Sequence, residues 1–183
     1  MTELCDLALK YNSDKCPQIK HSYTPYYYDL LNPRRTIIKK VLEIGTAEGA
    51  SLFMWRDFFP HAMIYGAEID PERVKLMNDQ QRIRVFTCDQ RIESNLENVI
   101  VHTGPDLDLV IDDGSHVMAD QIFSCKTLMP LLQRHTIYII EDARYWQTIV
   151  PQLSEYNVEV PKLAHVRRRD NILIIVRHKS WPK

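Results

Sequence analysis

Acidic side chains gather at two places where this sequence stops being apolar. Residues 107–116 read L-D-L-V-I-D-D-G-S-H, and residues 137–142 read I-Y-I-I-E-D. In each, a run suited to a buried strand breaks into a pair of carboxylates, Asp112-Asp113 and Glu141-Asp142. Successive strands often lie side by side, and ligands of open α/β sheets bind beyond the carboxyl ends of their parallel strands. The two pairs would then converge. Unpaired, such groups repel one another and raise at least one pKa, and a divalent cation is the natural remedy. All-oxygen ligation favours Mg²⁺, Mn²⁺ or Ca²⁺ over zinc. His116, three residues beyond Asp113, adds an imidazole. A cluster of acids and imidazole at such a strand end is where chemistry would sit. Asp-Gly is also an ordinary turn and Asp an ordinary helix cap, so the motif has to be weighed with its surroundings.

Three earlier runs end in the same manner. Residues 37–44 predict a strand that passes into E-I-G-T-A-E-G, with Glu43, Gly45 and Gly49. A glycine loop between a strand and a helix lets backbone N–H groups approach a ligand. The dinucleotide pattern G-x-G-x-x-G is absent, because Glu43 stands where its first glycine would be. The next strand, residues 62–69, ends in G-A-E-I-D-P and places Glu68 about 20 residues beyond the glycines, where an acid typically holds ribose hydroxyls. Asp70, before Pro71, reads as a helix cap. A third strand, residues 83–87, ends at Cys88-Asp89-Gln90, where Asp89 could accept from a base amine or cap a helix. Three polar strand ends in succession predict a nucleoside pocket.

The elements that position these groups follow from periodicity. Helices are expected at residues 2–11, with Leu4, Leu7 and Leu9 on the buried face, and at 25–31, 50–59, 72–78, 92–100, 117–132 and 144–156. Strands alternate with them from residue 37 to residue 140, the pattern of an α/β fold with a parallel sheet. Residues 158–166 and 172–178, around the turn R-R-D-N, read as a closing antiparallel hairpin. The polar stretch 12–23 forms a loop, in which Lys15, His21 and Tyr23 are either surface residues or part of a flap over the strand ends. Tyr26-Tyr27-Tyr28 reads as helix packing in preference to an aromatic platform. His61, His135 and His165 flank strands and are read as non-catalytic.

Composition narrows the class. With 23 basic against 24 acidic residues the formal net charge is −1, too little to gather nucleic acid or a membrane surface. At 183 residues one domain is expected, with helices and flap over residues 1–34 and an α/β core over 35–183. Cys5, Cys16, Cys88 and Cys125 show no metal spacing, which suits a reducing, cytoplasmic setting. Neither a leader peptide nor a membrane-spanning run is expected.

Taken in order and spacing, E-I-G-T-A-E-G, A-E-I-D-P, C-D-Q, V-I-D-D-G-S-H and I-I-E-D resemble class I S-adenosylmethionine-dependent methyltransferases. More narrowly, the chain is similar to the metal-dependent O-methyltransferases that modify sugar hydroxyls on macrolide antibiotics. Y-N-S-D-K, H-S-Y-T-P-Y-Y and S-L-F-M-W-R-D-F-F-P carry that likeness too, so it spans residues 7 to 144. The resemblance implies a Rossmann-like fold: a mostly parallel seven-stranded sheet, helices on both faces and a C-terminal antiparallel hairpin. It implies that Gly45 and Gly49 flank the methionine part of S-adenosylmethionine with Glu43 in support. Glu68 would hold the ribose and Asp89 lie near the adenine, while Asp112 stays open between cofactor, metal and loop. Asp113, Glu141 and Asp142 would ligate Mg²⁺ or Mn²⁺, and His116 would be the general base. The acceptor is expected to be a small molecule or glycan with a free hydroxyl. The chain departs from the family in size, which makes a homo-oligomer that completes the acceptor wall an expectation. A phenolic or catechol-like acceptor, a non-catalytic cofactor-binding module acting through a partner, and a nicotinamide dehydrogenase are the other readings.

Overall fold

A computed structural model describes residues 1–163 and 168–181. Seven strands form one sheet in the order β3-β2-β1-β4-β5-β7-β6. β1 (Lys40–Ile44), β2 (Met63–Glu68), β3 (Ile83–Thr87), β4 (Leu109–Asp112) and β5 (Ile137–Ile140) run parallel. β7 (Ile174–Arg177) is antiparallel to β5, and β6 (Asn157–Glu159) is antiparallel to β7. The expected fold class is therefore observed, including the closing antiparallel pair. Its first strand is only three residues long. The segment around Arg167 and the flanking His165 lie outside the described residues.

The sheet sorts its side chains by the two-residue period of a strand. Val41, Leu109, Ile111, Ile137 and Ile139 join one core layer, with Leu4, Tyr27, Trp55 and Phe58. Their alternates Leu42, Ile44, Val110, Tyr138 and Ile140 join the opposite layer, with Leu96, Cys125, Leu128 and Ile149. The first layer is supplied by α1 (Glu3–Tyr11), α2 (Tyr23–Leu31), α3 (Ala50–Phe58) and α4 (Pro71–Met77). The second comes from α5 (Glu93–Thr103), α6 (Met118–Leu128) and α7 (Trp146–Gln152). β4 and β5 are buried along their whole length because both faces are covered.

Local chemistry explains most boundaries. Thr2 caps α1 by accepting from the Cys5 N–H, and Asn12 closes it in the left-handed conformation. Asp70 caps α4 at the Glu72 N–H with Pro71 at the first position, as its sequence predicts. Leu4 is fully buried in α1 whereas Leu9 is 39 % exposed. Ala8 and Cys5 take the inward positions instead. The helix expected over residues 117–132 stops at Leu128 and tightens into a 3₁₀ turn, Met129–Leu131, because Pro130 cannot donate a continuing hydrogen bond. Asp108, the polar interruption before β4, accepts the N–H groups of Lys39 and Lys40 at 2.7 and 3.0 Å and so anchors the start of β1. The strand order reverses between β1 and β4, and a cleft opens beyond their carboxyl ends.

Candidate active site

The cleft has a volume of about 680 Å³, and its walls include Gly45, Thr46, Glu68, Asp89, Asp113 and His116. That is a size usual for small-molecule sites. The turn after β1 makes one wall. Gly45 has φ +78°, and a Cβ there would lie 2.4 Å from the Asp113 carbonyl oxygen and 2.5 Å from Gly114 Cα. Only glycine lets this loop pass so close to the turn after β4. Gly49, with φ +82°, instead starts α3, and a Cβ there would meet Met77 Sδ at 2.2 Å. It shapes the loop without lining the cleft.

Glu68, at the end of β2, is only 4 % exposed. Its Oε2 accepts the N–H groups of Thr46 at 3.1 Å and Ala47 at 2.9 Å, and its Oε1 accepts that of Asp70 at 3.1 Å. The acid therefore holds the glycine loop as well as facing the cleft. Asp89 is gripped by Arg91 through Nε at 2.9 Å and Nη2 at 2.7 Å. These hydrogen bonds keep its carboxyl below the usual carboxylate range.

The turn after β4 divides the first acid pair. Asp113 faces the cleft, whereas Asp112 is fully buried. Asp112 accepts from Gln90 Nε2 at 3.2 Å, from the Tyr138 hydroxyl at 3.1 Å and from the Gly114 N–H at 3.4 Å. Burial pushes its pKa up to about 7. Of the three roles left open for Asp112 between cofactor, metal and loop, these contacts match the last: the buried side chain fastens the turn after β4 and does not line the cleft. Gln90 completes the arrangement by accepting from the Ser115 N–H at 2.7 Å.

His116 lies on the cleft rim, 43 % exposed, with φ +57°. Its Nδ1 is 3.9 Å from Asp113 Oδ1, and its Nε2 is 3.8 Å from Asp142 Oδ2. Asp142 has φ +51° and Ala47 φ +45°. Three non-glycine residues in the left-handed region around one cleft are a mark of a functional site, because such strain persists only where the surroundings enforce it. One oxygen or nitrogen of each of Asp113, His116 and Asp142 lies within 4.8 Å of the others, a spacing that can hold a cation.

Glu141 is placed differently from its neighbour. Its Oε1 accepts from the Tyr27 hydroxyl at 2.6 Å, and its Oε2 lies 2.7 Å from Lys15 Nζ. Lys15 also reaches Asp113 Oδ2 at 2.6 Å and Glu43 Oε1 at 3.2 Å. Burial opposes its charge, but Asp113, Glu141 and Glu43 hold its pKa well above that of an ordinary lysine. Burial likewise raises Glu141, Glu43 and Asp113, against the pull of Lys15. Glu43 is fully enclosed and accepts from Trp55 Nε1 at 2.8 Å. It supports the site from beneath and does not touch the cleft.

The loop that carries Lys15 is a flap. Lys15 and His21 are 1 % exposed and Tyr23 is fully buried. The Tyr23 hydroxyl donates to Asp142 Oδ1 at 2.5 Å, and His21 stacks on the Tyr23 ring at 4.8 Å. Tyr27, expected only to pack, both packs on Trp55 and binds Glu141. Gln90 and Tyr27 were site residues that local spacing could not identify, and Lys15, read as a surface or flap residue, gave no sign of its acid partners.

With this geometry in view, the comparisons with known proteins are informative. No family model matches the chain. A mycinamicin VI 2''-O-methyltransferase from Micromonospora griseorubida is 36 % identical over 190 aligned positions, covering 98 % of this chain and 45 % of that protein. The chain is a homologue of the antibiotic-sugar O-methyltransferases. A second relative, an 8-demethyl-8-alpha-L-rhamnosyl tetracenomycin-C 2'-O-methyltransferase from Streptomyces olivaceus, is 34 % identical over 152 residues, covering 78 % of this chain and 39 % of the relative. The chain thus spans less than half the length of the relatives it matches. Among solved structures, the MycE methyltransferase in complex with Mg, SAH and mycinamycin VI superposes with a TM-score of 0.77 at 27 % identity, over 100 % of this chain and 57 % of that one. A putative caffeoyl-CoA O-methyltransferase from Staphylococcus aureus, at 13 % identity and TM-score 0.64, shares the fold. The architecture is the class I methyltransferase fold.

Proposed function

We propose that this chain forms the catalytic core of an S-adenosylmethionine-dependent O-methyltransferase, assisted by Mg²⁺ or Mn²⁺, that methylates a sugar hydroxyl of a glycoside. The observation that carries the reading is the His116 imidazole within 4 Å of both Asp113 and Asp142, on the rim of the glycine-loop cleft. The names of the relatives support the acceptor class.

The residues present suit both implied groups. Gly45 lets the loop after β1 lie directly against the β4 turn in the cleft wall, and Glu68 and Asp89 face the same cleft. Around the cleft, the four carboxyl groups of Glu43, Asp113, Glu141 and Asp142 gather near the single ammonium of Lys15. Asp113 Oδ1 and Asp142 Oδ2 face outward toward His116, so these two residues would hold a divalent cation, with His116 beside it. Glu141 would contribute from behind, through Lys15 and Tyr27.

When bound, the sulfonium cofactor supplies the methyl group and the cation lowers the pKa of a neighbouring hydroxyl. His116 would accept the proton of the acceptor hydroxyl at a ring nitrogen while the cofactor supplied the methyl group. A positioned base of this kind is worth about 10²–10⁴ in rate. Asp113 and Asp142 flank the ring and stabilise the imidazolium that forms. Glu68 and the Thr46–Ala47 N–H groups keep the cofactor loop rigid. Four free, buried cysteines support a reducing setting such as the cytoplasm. Among the described residues no helix is long and apolar enough to cross a membrane.

The test is a methyl-transfer assay on a panel of glycosides and catechols, with EDTA and with Mg²⁺ restored. His116→Ala should keep cofactor affinity by calorimetry and lose about 10²–10⁴ in turnover. Full activity in that variant removes the base, and indifference to both EDTA and Mg²⁺ removes the metal. Turnover on catechols alone transfers the reading to phenolic acceptors.

A further inference from the structure

We propose that the Lys15 ammonium is the resident cation of the acid cluster, a positioning residue that holds the carboxylates in place before a divalent ion arrives and weakens that ion's binding once it does. Three carboxylates from three strand ends converge on it: Glu43 from β1, Asp113 after β4 and Glu141 after β5. The ammonium donates hydrogen bonds to Asp113 Oδ2 at 2.6 Å and Glu141 Oε2 at 2.7 Å, and Glu43 Oε1 lies 3.2 Å away as an ion-pair contact. Among the described residues no other lysine or arginine nitrogen lies within ion-pair distance of these three acids. Without Lys15 they would repel one another in a buried setting, where unpaired charge is costly.

The same residue binds the flap to the sheet. Its backbone carbonyl accepts the N–H groups of Tyr23 and Thr24 at 3.1 and 3.0 Å, so it also satisfies the first donors of α2. One residue therefore sets the loop, the start of a helix and three acids.

Asp113 is the point of linkage. Its Oδ2 faces inward to Lys15 and its Oδ1 outward to His116. A divalent ion on the outer side would share this carboxylate with the ammonium, and like charges so close disfavour each other. Lys15 thus exchanges metal affinity for a site that is formed in advance. The affinity half of the proposal rests on the divalent-cation reading above, whereas the half concerning metal-free stability does not.

The experiment compares the full chain with Lys15→Met and with the charge-balanced pair Lys15→Met/Glu43→Gln, by thermal unfolding in EDTA and by Mg²⁺ calorimetry. Lys15→Met should lower the metal-free Tm by at least about 5 °C and bind Mg²⁺ at least about tenfold more tightly. The pair, which removes one charge of each sign, should regain part of the lost Tm and return toward wild-type affinity. It also serves if the single variant does not fold in EDTA. A K15M chain as stable as wild type in EDTA, or a pair no more stable than K15M, overturns the role of Lys15. Unchanged or weaker Mg²⁺ binding in K15M overturns the linkage. A wild-type chain that binds no Mg²⁺ overturns the metal reading and leaves the EDTA comparison to judge Lys15.

Discussion

Asp112 and Asp113 are adjacent in sequence and opposite in role. Strand geometry sends successive side chains to opposite sides, so one acid enters the core and the other the cleft. The buried one has consequences for stability. Burial pushes Asp112 to about 7, above its ordinary 3.8. Folding therefore favours its protonated form, and its contribution to stability is full below about pH 4 and lost as the pH rises through 7. Asp112→Asn should flatten that part of the profile, by a few kcal/mol at most, in urea unfolding carried out in EDTA between pH 4 and 8. A variant profile parallel to wild type would show that another group governs this range. Gly45 allows an equally direct test. Gly45→Ala forces an L-residue to φ +78° and drives its Cβ into the Asp113 carbonyl. The dihedral alone costs about 1–3 kcal/mol, and the clash adds to it, so the variant should unfold at lower urea and lose cofactor affinity.

At the scale of elements, α2 and the flap before it connect the acids to the rest of the fold. Ser22 N–H donates to Asn171 Oδ1 at 2.8 Å, and Asn171 Nδ2 donates back to Ser22 Oγ at 2.8 Å. The flap is thus fixed to the residues leading into β7 as well as to β4 and β5. Tyr27 extends from α2 beneath Glu141. Tyr27→Phe leaves a buried carboxylate oxygen without that donor, which should cost about 1–3 kcal/mol in chemical unfolding. If the loss is as small as for a surface substitution, another donor satisfies Glu141. The helix retains its packing on Trp55 in either case, so the variant separates the polar contribution of α2 from its apolar one.

For the whole molecule, the cleft sits where the strand order reverses, so five strand ends and the flap meet at one place. A ligand bound there touches elements from both halves of the sheet and should stabilise all of it. At 100 times its Kd, a cofactor product would add about 2.7 kcal/mol, or about 5–11 °C in Tm for a chain of this size. Differential scanning calorimetry with S-adenosylhomocysteine, against NAD as control, tests this. A rise with NAD and none with the thioether would favour the dehydrogenase reading.

Much of this architecture was legible in the sequence, because strands and helices are local. The bounds of β5 follow from its apolar run and those of β3 from a short strand-like segment before Cys88-Asp89, and polar residues at successive strand ends marked the cleft. The role of Asp70 was legible for the same reason, since it depends on an N–H two residues away. The flap was not. Lys15 meets Asp113 across 98 positions and Glu141 across 126, and no periodicity encodes a contact of that span. Nor could spacing choose between two adjacent carboxylates. The pleat decides which of Asp112 and Asp113 faces ligand, and the approach of α2 decides that Glu141 meets a tyrosine and a lysine while Asp142 faces His116. The sequence alone determined which chemical groups would meet at the strand ends. Tertiary packing decided which of them are spent on one another and which remain open to a ligand, since that depends on distance and burial in three dimensions.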